Sequence, residues 1–159
     1  MDVVTLTETR DGYDIDTTGW GAHVARIEAG LPAAIRAFVA APWRYDVQDP
    51  RCLHDAWLQE LVVKEAPRGQ ARGTEVLLVL EGAWGGRFEL RYRQVTRFLL
   101  DKADGPDEGL GDLLVEELVP REENRFRHEL AFVGGTLLLE FSGFSETRID
   151  VPAGGEVGT

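Results

Sequence analysis

The stretch whose residue types could carry out chemistry is Cys52-Leu53-His54-Asp55. A thiolate nucleophile needs a base that lowers its pKa, and an imidazole needs an acceptor that orients it. In an extended segment Cys52 and His54 share a face, so a thiol–imidazole contact is sterically open. The competing reading is a turn, with His54 or Asp55 bonded to local backbone and Cys52 as a small apolar filler. The other two histidines are His23 and His128. His128 lies on the apolar side of its strand beside Phe126 and Leu130, which suits a pocket base or a core-edge histidine bonded to a backbone carbonyl. A pocket of Cys52, His54, Asp55 and His128 would serve a small ligand or an enzymatic step.

The carboxylates form the second set. Asp101, Asp104, Asp107, Glu108 and Asp112 fall in one stretch, DKADGPDEGLGD, which reads as an exposed loop. It lacks the alternate-position acids of an EF-hand, and Pro106 stands where the turn glycine would be. Glu129 is expected opposite Glu140 on an outward face, one step from Arg127, as part of a surface ion network. No phosphate-binding loop, dinucleotide fingerprint or serine elbow occurs. A single cysteine excludes an internal disulfide framework and multi-cysteine zinc sites, and no histidines have the spacing of a helical zinc site. No metal or cofactor is expected.

The elements that must position these residues are mostly strands. Thr74 to Glu81 meets Gly86 to Arg93 around Ala83-Trp84-Gly85, with Gly85 left-handed. This register places Leu80 opposite Phe88, Leu78 opposite Leu90 and Val76 opposite Tyr92. Glu81 then faces Arg87, and Glu75 faces Arg93. A second hairpin is expected to turn at Gly134-Gly135, pairing Phe132 with Leu137, Leu130 with Leu139 and His128 with Phe141. Further strands are expected at Val3 to Thr7, Asp112 to Val119 and Thr147 to Val151; Trp57 to Lys64 reads as a strand with mixed faces, with a helix through Leu53, Trp57 and Leu61 as the alternative. A helix is expected from Leu31 to Ala41, opened by Pro32 and closed by Pro42, with Ala22 to Ala29 as an additional turn or two. The fold expected is α+β: a mostly antiparallel β-sheet of five to seven strands, with an N-terminal amphipathic helix packed on one face. One domain over 1–152 is expected, followed by a flexible Gly-rich tail at 153–159.

Composition narrows the partners. The 159 residues carry 17 Lys and Arg against 28 Asp and Glu, a net charge of −11. That balance argues against nucleic acid, whose phosphates call for clustered Lys and Arg, and admits a basic protein partner. No leader-like or membrane-spanning apolar run is present, so a cytoplasmic location is expected.

Leu53-His54-Asp55-Ala56, followed by two hairpins and Leu90-Arg91-Tyr92-Arg93-Gln94-Val95, resembles a loose group of small bacterial proteins of uncharacterised function. These carry an "LHD" turn leading into a strand and a later "RYRGV"-like strand end. Here Gln94 stands in place of the glycine. The resemblance covers roughly residues 50–145 and extends to some immunity proteins of bacterial toxin systems; it implies a fold more than an activity.

The function expected is thus a non-enzymatic acidic binding protein, an immunity-type protein against a basic toxin in its most specific form. Asp104, Asp107, Glu108, Asp112, Glu116 and Glu122 would attract the partner, and Trp84 at its hairpin tip would anchor it. Trp84, like Trp43 after the helix, can equally fold back on its own chain. The alternatives are the small-ligand or enzymatic pocket above, and a structural domain that forms homo-oligomers through an apolar outer face at Leu77, Val79 and Leu138.

Overall fold

A computed structural model describes residues 1–103, 109–122 and 124–149. Among these the chain forms a short hairpin, two helices and two four-stranded antiparallel sheets. The hairpin pairs β1 (Thr5–Thr9) with β2 (Gly12–Asp16). Helix α1 (Trp20–Ile27) and helix α2 (Ala33–Val39) follow, joined by a 3-10 turn at Glu28–Gly30. One sheet holds β3 (Trp57–Arg68), β4 (Ala71–Glu81), β5 (Arg87–Arg93) and β10 (Gly143–Ile149), in the order β10-β5-β4-β3. The other holds β6 (Arg97–Lys102), β7 (Leu113–Pro120), β8 (Phe126–Phe132) and β9 (Gly135–Phe141), in the order β6-β9-β8-β7.

The alternating apolar residues of the two sheets meet in one core. Leu78, Leu80, Phe88, Leu90 and Tyr92 from the first face Leu118, Leu130, Leu137, Leu139 and Phe141 from the second, all fully buried. Tyr92 packs edge-on against Phe141, with ring centroids 4.9 Å apart. The sheets are also joined through the backbone. Leu113 bonds both residues that precede β3, with Asp55 N donating to Leu113 O at 2.8 Å and Leu113 N to Ala56 O at 2.9 Å. At another corner Ser142 N donates to Arg93 O, and Thr96 N to Glu140 O. There β5 runs on into β6 and β9 into β10, each ribbon crossing from one sheet to the other.

The first hairpin has the expected register at every position, with Gly85 left-handed at φ 78°. Its charges choose other partners, however: Arg87 and Arg91 both close on Glu89, and Lys64 of β3 takes Glu75. The second hairpin is displaced by two residues. Leu130 pairs with Leu137 and His128 with Leu139, and the turn is Val133-Gly134. The inward face is unchanged, because a shift of two preserves the pleat. The glycine pair answers a packing constraint rather than a primed turn. A Cβ on Gly134 would lie 2.7 Å from the Gly109 carbonyl oxygen, and one on Gly135 would lie 2.2 Å from that of Asp101.

Several other expectations are corrected. Among the described residues ten strands form, not five to seven, because the polar segment after β1 closes a hairpin and the supposed loop start at Asp101 ends β6. No helix occupies the N-terminus; the expected Leu31–Ala41 helix is α2, behind a hairpin and α1. The last strand starts at Gly143 rather than Thr147. Glu129 faces Leu138 and Glu117, while Arg127 faces Glu140. Val79 is fully buried and Leu77 and Leu138 are half-buried, so they form no exposed apolar face. Positions 104–108 and the tail from 153 lie outside the described residues.

Gln94, at the glycine position of the RYRGV-like pattern, takes a left-handed φ of 54°. A residue with a Cβ is strained there by roughly 1–2 kcal/mol. Gln94→Gly is therefore expected to stabilise the chain by about 0.5–1 kcal/mol, after the added entropy of the unfolded glycine. Gly134→Ala should destabilise it by about 1–3 kcal/mol, since the opposing atoms are backbone. Urea denaturation of the two variants checks both signs.

Candidate functional site

Strand β7 reads Leu113-Leu114-Val115-Glu116-Glu117-Leu118-Val119-Pro120. Adjacent carboxylates in a strand point to opposite faces. Both are nevertheless buried, because both faces of β7 are covered. Glu117, fully buried, accepts the backbone N–H groups of Asp2, Val3 and Val4 at 2.5, 2.7 and 2.7 Å, which straps the first residues over the sheet. Glu116 points into the core. It was expected as an exposed acid, but only 3 % of it is accessible.

Glu116 Oε2 is the centre of a chain of polar groups. It accepts from the Arg44 guanidinium and from His128 Nε2 at 2.8 Å. His128 Nδ1 lies 2.8 Å from the Tyr92 hydroxyl. The Glu116 carboxylate can only accept from Nε2–H, and burial favours the neutral imidazole, so Nδ1 is left as an acceptor to which the Tyr92 hydroxyl donates. Burial lowers the pKa of His128, with Glu116 opposing. For Glu116 itself, burial raises the carboxyl, but Arg44 and His128 outweigh it and hold the pKa below the usual value. Arg44 follows Pro42 in the turn after α2 and lies among aromatic rings, 4.7 Å from the Trp20 centroid and 4.5 Å from that of Phe38. His128 is thus a core histidine, but it is bonded to side chains and not to a backbone carbonyl.

A cavity of about 290 Å³ adjoins this chain, lined by Tyr13 and Ile15 of β2, Tyr45, Val47, the Cys52–His54 segment and the start of β7. The expected pocket of Cys52, His54, Asp55 and His128 is only half assembled. Cys52 and His54 line the cavity; His128 is sealed in the core and Asp55 lines a different groove. Three of the lining groups that could react, Cys52, His54 and Tyr45, already have partners. Cys52 Sγ donates to Arg44 O at 3.2 Å, and burial raises its thiol pKa, which disfavours the thiolate. His54 Nδ1 donates to Leu114 O at 2.7 Å, and its Nε2 lies 3.3 Å from Asp55 Oδ1. The Tyr45 hydroxyl donates to Glu116 O at 2.8 Å. The turn reading of Leu53-His54-Asp55 holds: Ala56 N bonds Leu53 O, and Asp55 is left-handed at φ 61°. Its partners are on β7, 60 residues away, rather than local.

The second candidate is on the outside, at the corner where β3, the β4–β5 loop and the residue before β7 meet. Asp55, Trp57, Glu81, Gly82, Ala83, Gly85 and Asp112 line a groove there. Trp57 is cross-strand from Glu81, and its indole N–H donates to Asp112 Oδ1, which fixes the ring. Trp57 is 55 % exposed, and Trp84, in the loop that forms one wall, is 62 % exposed. Gln59 donates to Glu81 Oε2 at 2.9 Å. The nearby Arg87, opposite Glu81, is drawn to Glu89. Trp84 therefore projects, whereas Trp43 is half-buried against Phe38. Of the remaining expected acids, Glu122 is exposed and away from the groove lining, and Asp104, Asp107 and Glu108 lie outside the described residues.

Arg44, Tyr92 and Trp57 were not among the expected site residues. The available signals were an arginine between aromatics in Trp43-Arg44-Tyr45, and Tyr92 on the same inward row as Leu90. Among the described residues no group of His, Cys, Asp or Glu is arranged to hold a metal ion, and no helix is long and apolar enough to cross a membrane.

Two predictions follow from the buried chain. Arg44→Met leaves Glu116 as an unpaired buried charge and should cost about 3–5 kcal/mol in urea unfolding, while pairing it with Glu116→Leu should recover most of that loss. His128 and Glu116 both have lowered pKa values, so the unfolded chain binds protons first. Stability should fall as the pH drops below 6.5 for His128 and further below 4.5 for Glu116. Glu146, whose carboxyl is raised by burial, opposes the lower part of that trend. His128→Gln should flatten the slope between about pH 7 and 5, leaving the smaller share of half-buried His23, whose pKa is also lowered by burial. Comparison of the chain with protein-family models, curated proteins and solved structures gives no match, so the case for a function rests on these side chains.

Proposed function

We propose that the chain is a non-enzymatic binding module that docks a basic, partly apolar segment of a partner protein in the Asp55–Trp57–Glu81–Asp112 groove. The observation that carries this reading is the pair of exposed tryptophans, Trp57 and Trp84, set beside three carboxylates at one corner. Large aromatic faces supply the contact area of interface anchors, and they also attract Lys or Arg through the ring quadrupole. The carboxylates, on a chain of net charge −11, speed encounter with a cationic partner. The bond from Trp57 to Asp112 holds the ring in place before binding, which lowers the ordering cost. The engaged Cys52 thiol, His54 imidazole and Tyr45 phenol of the cavity support the non-enzymatic half of the reading.

An immunity-type protein that neutralises a basic toxin is the specific case that the Leu53-His54-Asp55-Ala56 resemblance suggests. The groove itself asks only for a cationic segment with an apolar neighbour. A second reading, a carrier of a small apolar ligand, is favoured by the aliphatic and aromatic walls of the 290 Å³ cavity at Tyr13, Ile15, Val47 and Leu114.

Calorimetric titration with a peptide of alternating arginine and leucine tests the first reading. Saturable binding is expected at low ionic strength, weakening as salt is added. Trp57→Ala should weaken it about thirtyfold, as befits a central aromatic anchor. Absence of binding, or an affinity that Trp57→Ala leaves unchanged, overturns the docking groove.

A further inference from the structure

Strand edges reveal a different surface. A sheet edge presents unpaired N–H and C=O groups, and chains protect it with charges, prolines or bulges. β3 has a bulge between Leu58 and Glu60, and also carries Lys64, Glu65 and Pro67. β7 has a bulge between Leu113 and Val115 and ends in Pro120. β10 carries Glu146 and Arg148. β6 has an uninterrupted ladder to β9 and no proline, its charges Arg97, Asp101 and Lys102 stand only at its two ends, and no described strand pairs with its other side. It also exposes three large apolar residues in a row: Phe98 at 39 %, Leu99 at 47 % and Leu100 at 39 %.

We propose that β6 is a self-association edge, along which a second copy of this chain adds its own β6 antiparallel about a twofold axis at Leu99. The backbone limits the register. Ala103 N donates to Gly134 O, and bonding residues alternate along an antiparallel strand. Gly134 is the residue that the β6–β9 register sets opposite Ala103, whereas Thr96, before β6, reaches Glu140 out of that register, in which Glu140 faces Arg97. The odd-numbered residues of β6 therefore bond to β9, and the amide groups of Phe98 and Leu100 point to the open edge. A symmetric pairing through those groups must place an odd residue opposite itself or an even one opposite itself. With Leu99 on the axis, Phe98 of one copy faces Leu100 of the other, twice, and Arg97 faces Asp101, twice. Shifting by one residue either way loses this match. Placing Leu100 on the axis sets Leu99 against Asp101, and placing Phe98 there sets Arg97 against Leu99. Only the Leu99 register is both apolar and charge-complementary.

The two faces agree with this arrangement. Phe98 and Leu100 lie opposite Leu139 and Leu137 on the core side of the sheet, yet they remain partly open because the core ends at β6. A second copy extends that apolar row. On the outer side Arg97, already 3.8 Å from Glu140, would stand between Glu140 of its own β9 and Asp101 of the other copy. The edge shares no residue with the Trp57 groove, so this inference stands apart from the docking function.

A six-residue edge is a small interface, so association should be concentration-dependent. Sedimentation velocity of the full chain is expected to show a monomer–dimer equilibrium. Asp101→Arg creates two like-charge contacts and should raise the dissociation constant at least about tenfold. Adding Arg97→Asp to it reverses both pairs and should return the constant to within about threefold of the parent. Leu99→Lys, which sets two ammonium groups against each other on the axis, should leave only monomer. Circular dichroism confirms that each exposed variant is folded. A parent chain that stays monomeric at all concentrations overturns the proposal. So does a dimer indifferent to Asp101→Arg, or one that the double reversal fails to restore.

Discussion

The charge of Glu116 is the constraint around which the molecule is arranged. A carboxylate in a dry core is costly unless its oxygens are paired, and the groups that pair it come from distant parts of the chain. Arg44 comes from the turn after α2, His128 from β8, and Tyr92, through His128, from β5 of the opposite sheet. Four separate segments must be in place before the charge is satisfied. Apolar packing alone tolerates several arrangements of similar volume, whereas this set of bonds selects one. The aromatic rings around Arg44 close the site to water and lower the effective dielectric, which strengthens every bond in it.

The same arrangement explains why the cavity beside it is a poor reaction centre. Catalysis needs a group with a free lone pair or a labile proton aimed into space where a substrate can sit. Here the Cys52 thiol, the His54 imidazole and the Tyr45 phenol on the wall each close on a carbonyl oxygen. The outer corner is the opposite case. Its carboxylates keep unpaired oxygens facing water, and its indoles present open faces. The chain engages its thiol, imidazole and Tyr45 phenol inside and leaves indoles and carboxylates outside.

The first hairpin was fully legible because two independent patterns, apolar and charged, agree on one register between Thr74 and Arg93. The second carried only an apolar pattern. Period-two alternation fixes the face but leaves shifts of two residues open, and the glycine pair was read as a turn when it serves close backbone approach. Glu116 and Glu117 were hidden for a related reason. Strand logic expects one of two adjacent acids to meet water, unless something covers the outer face. The cover is residues 2–4, more than a hundred positions away. Asp55, left-handed in its turn, was legible as a turn residue; its backbone bond to Leu113 and that of the neighbouring His54 side chain to Leu114 were not, because contacts across about 60 residues leave no local signature. Of the groove, Trp84 and Asp112 were legible, and Trp57 became visible only once β3 and β7 met.

The corner at Ser142 has a mechanical consequence. There β9 passes into β10 with one residue between them, beside the passage of β5 into β6 across three. Each sheet therefore owns half of two continuous ribbons, and neither can be peeled away without dragging a strand from the other. The molecule has no seam along which one layer could melt while its neighbour survives. Loss of order in either layer propagates to both, so the chain is built to come apart in a single cooperative event.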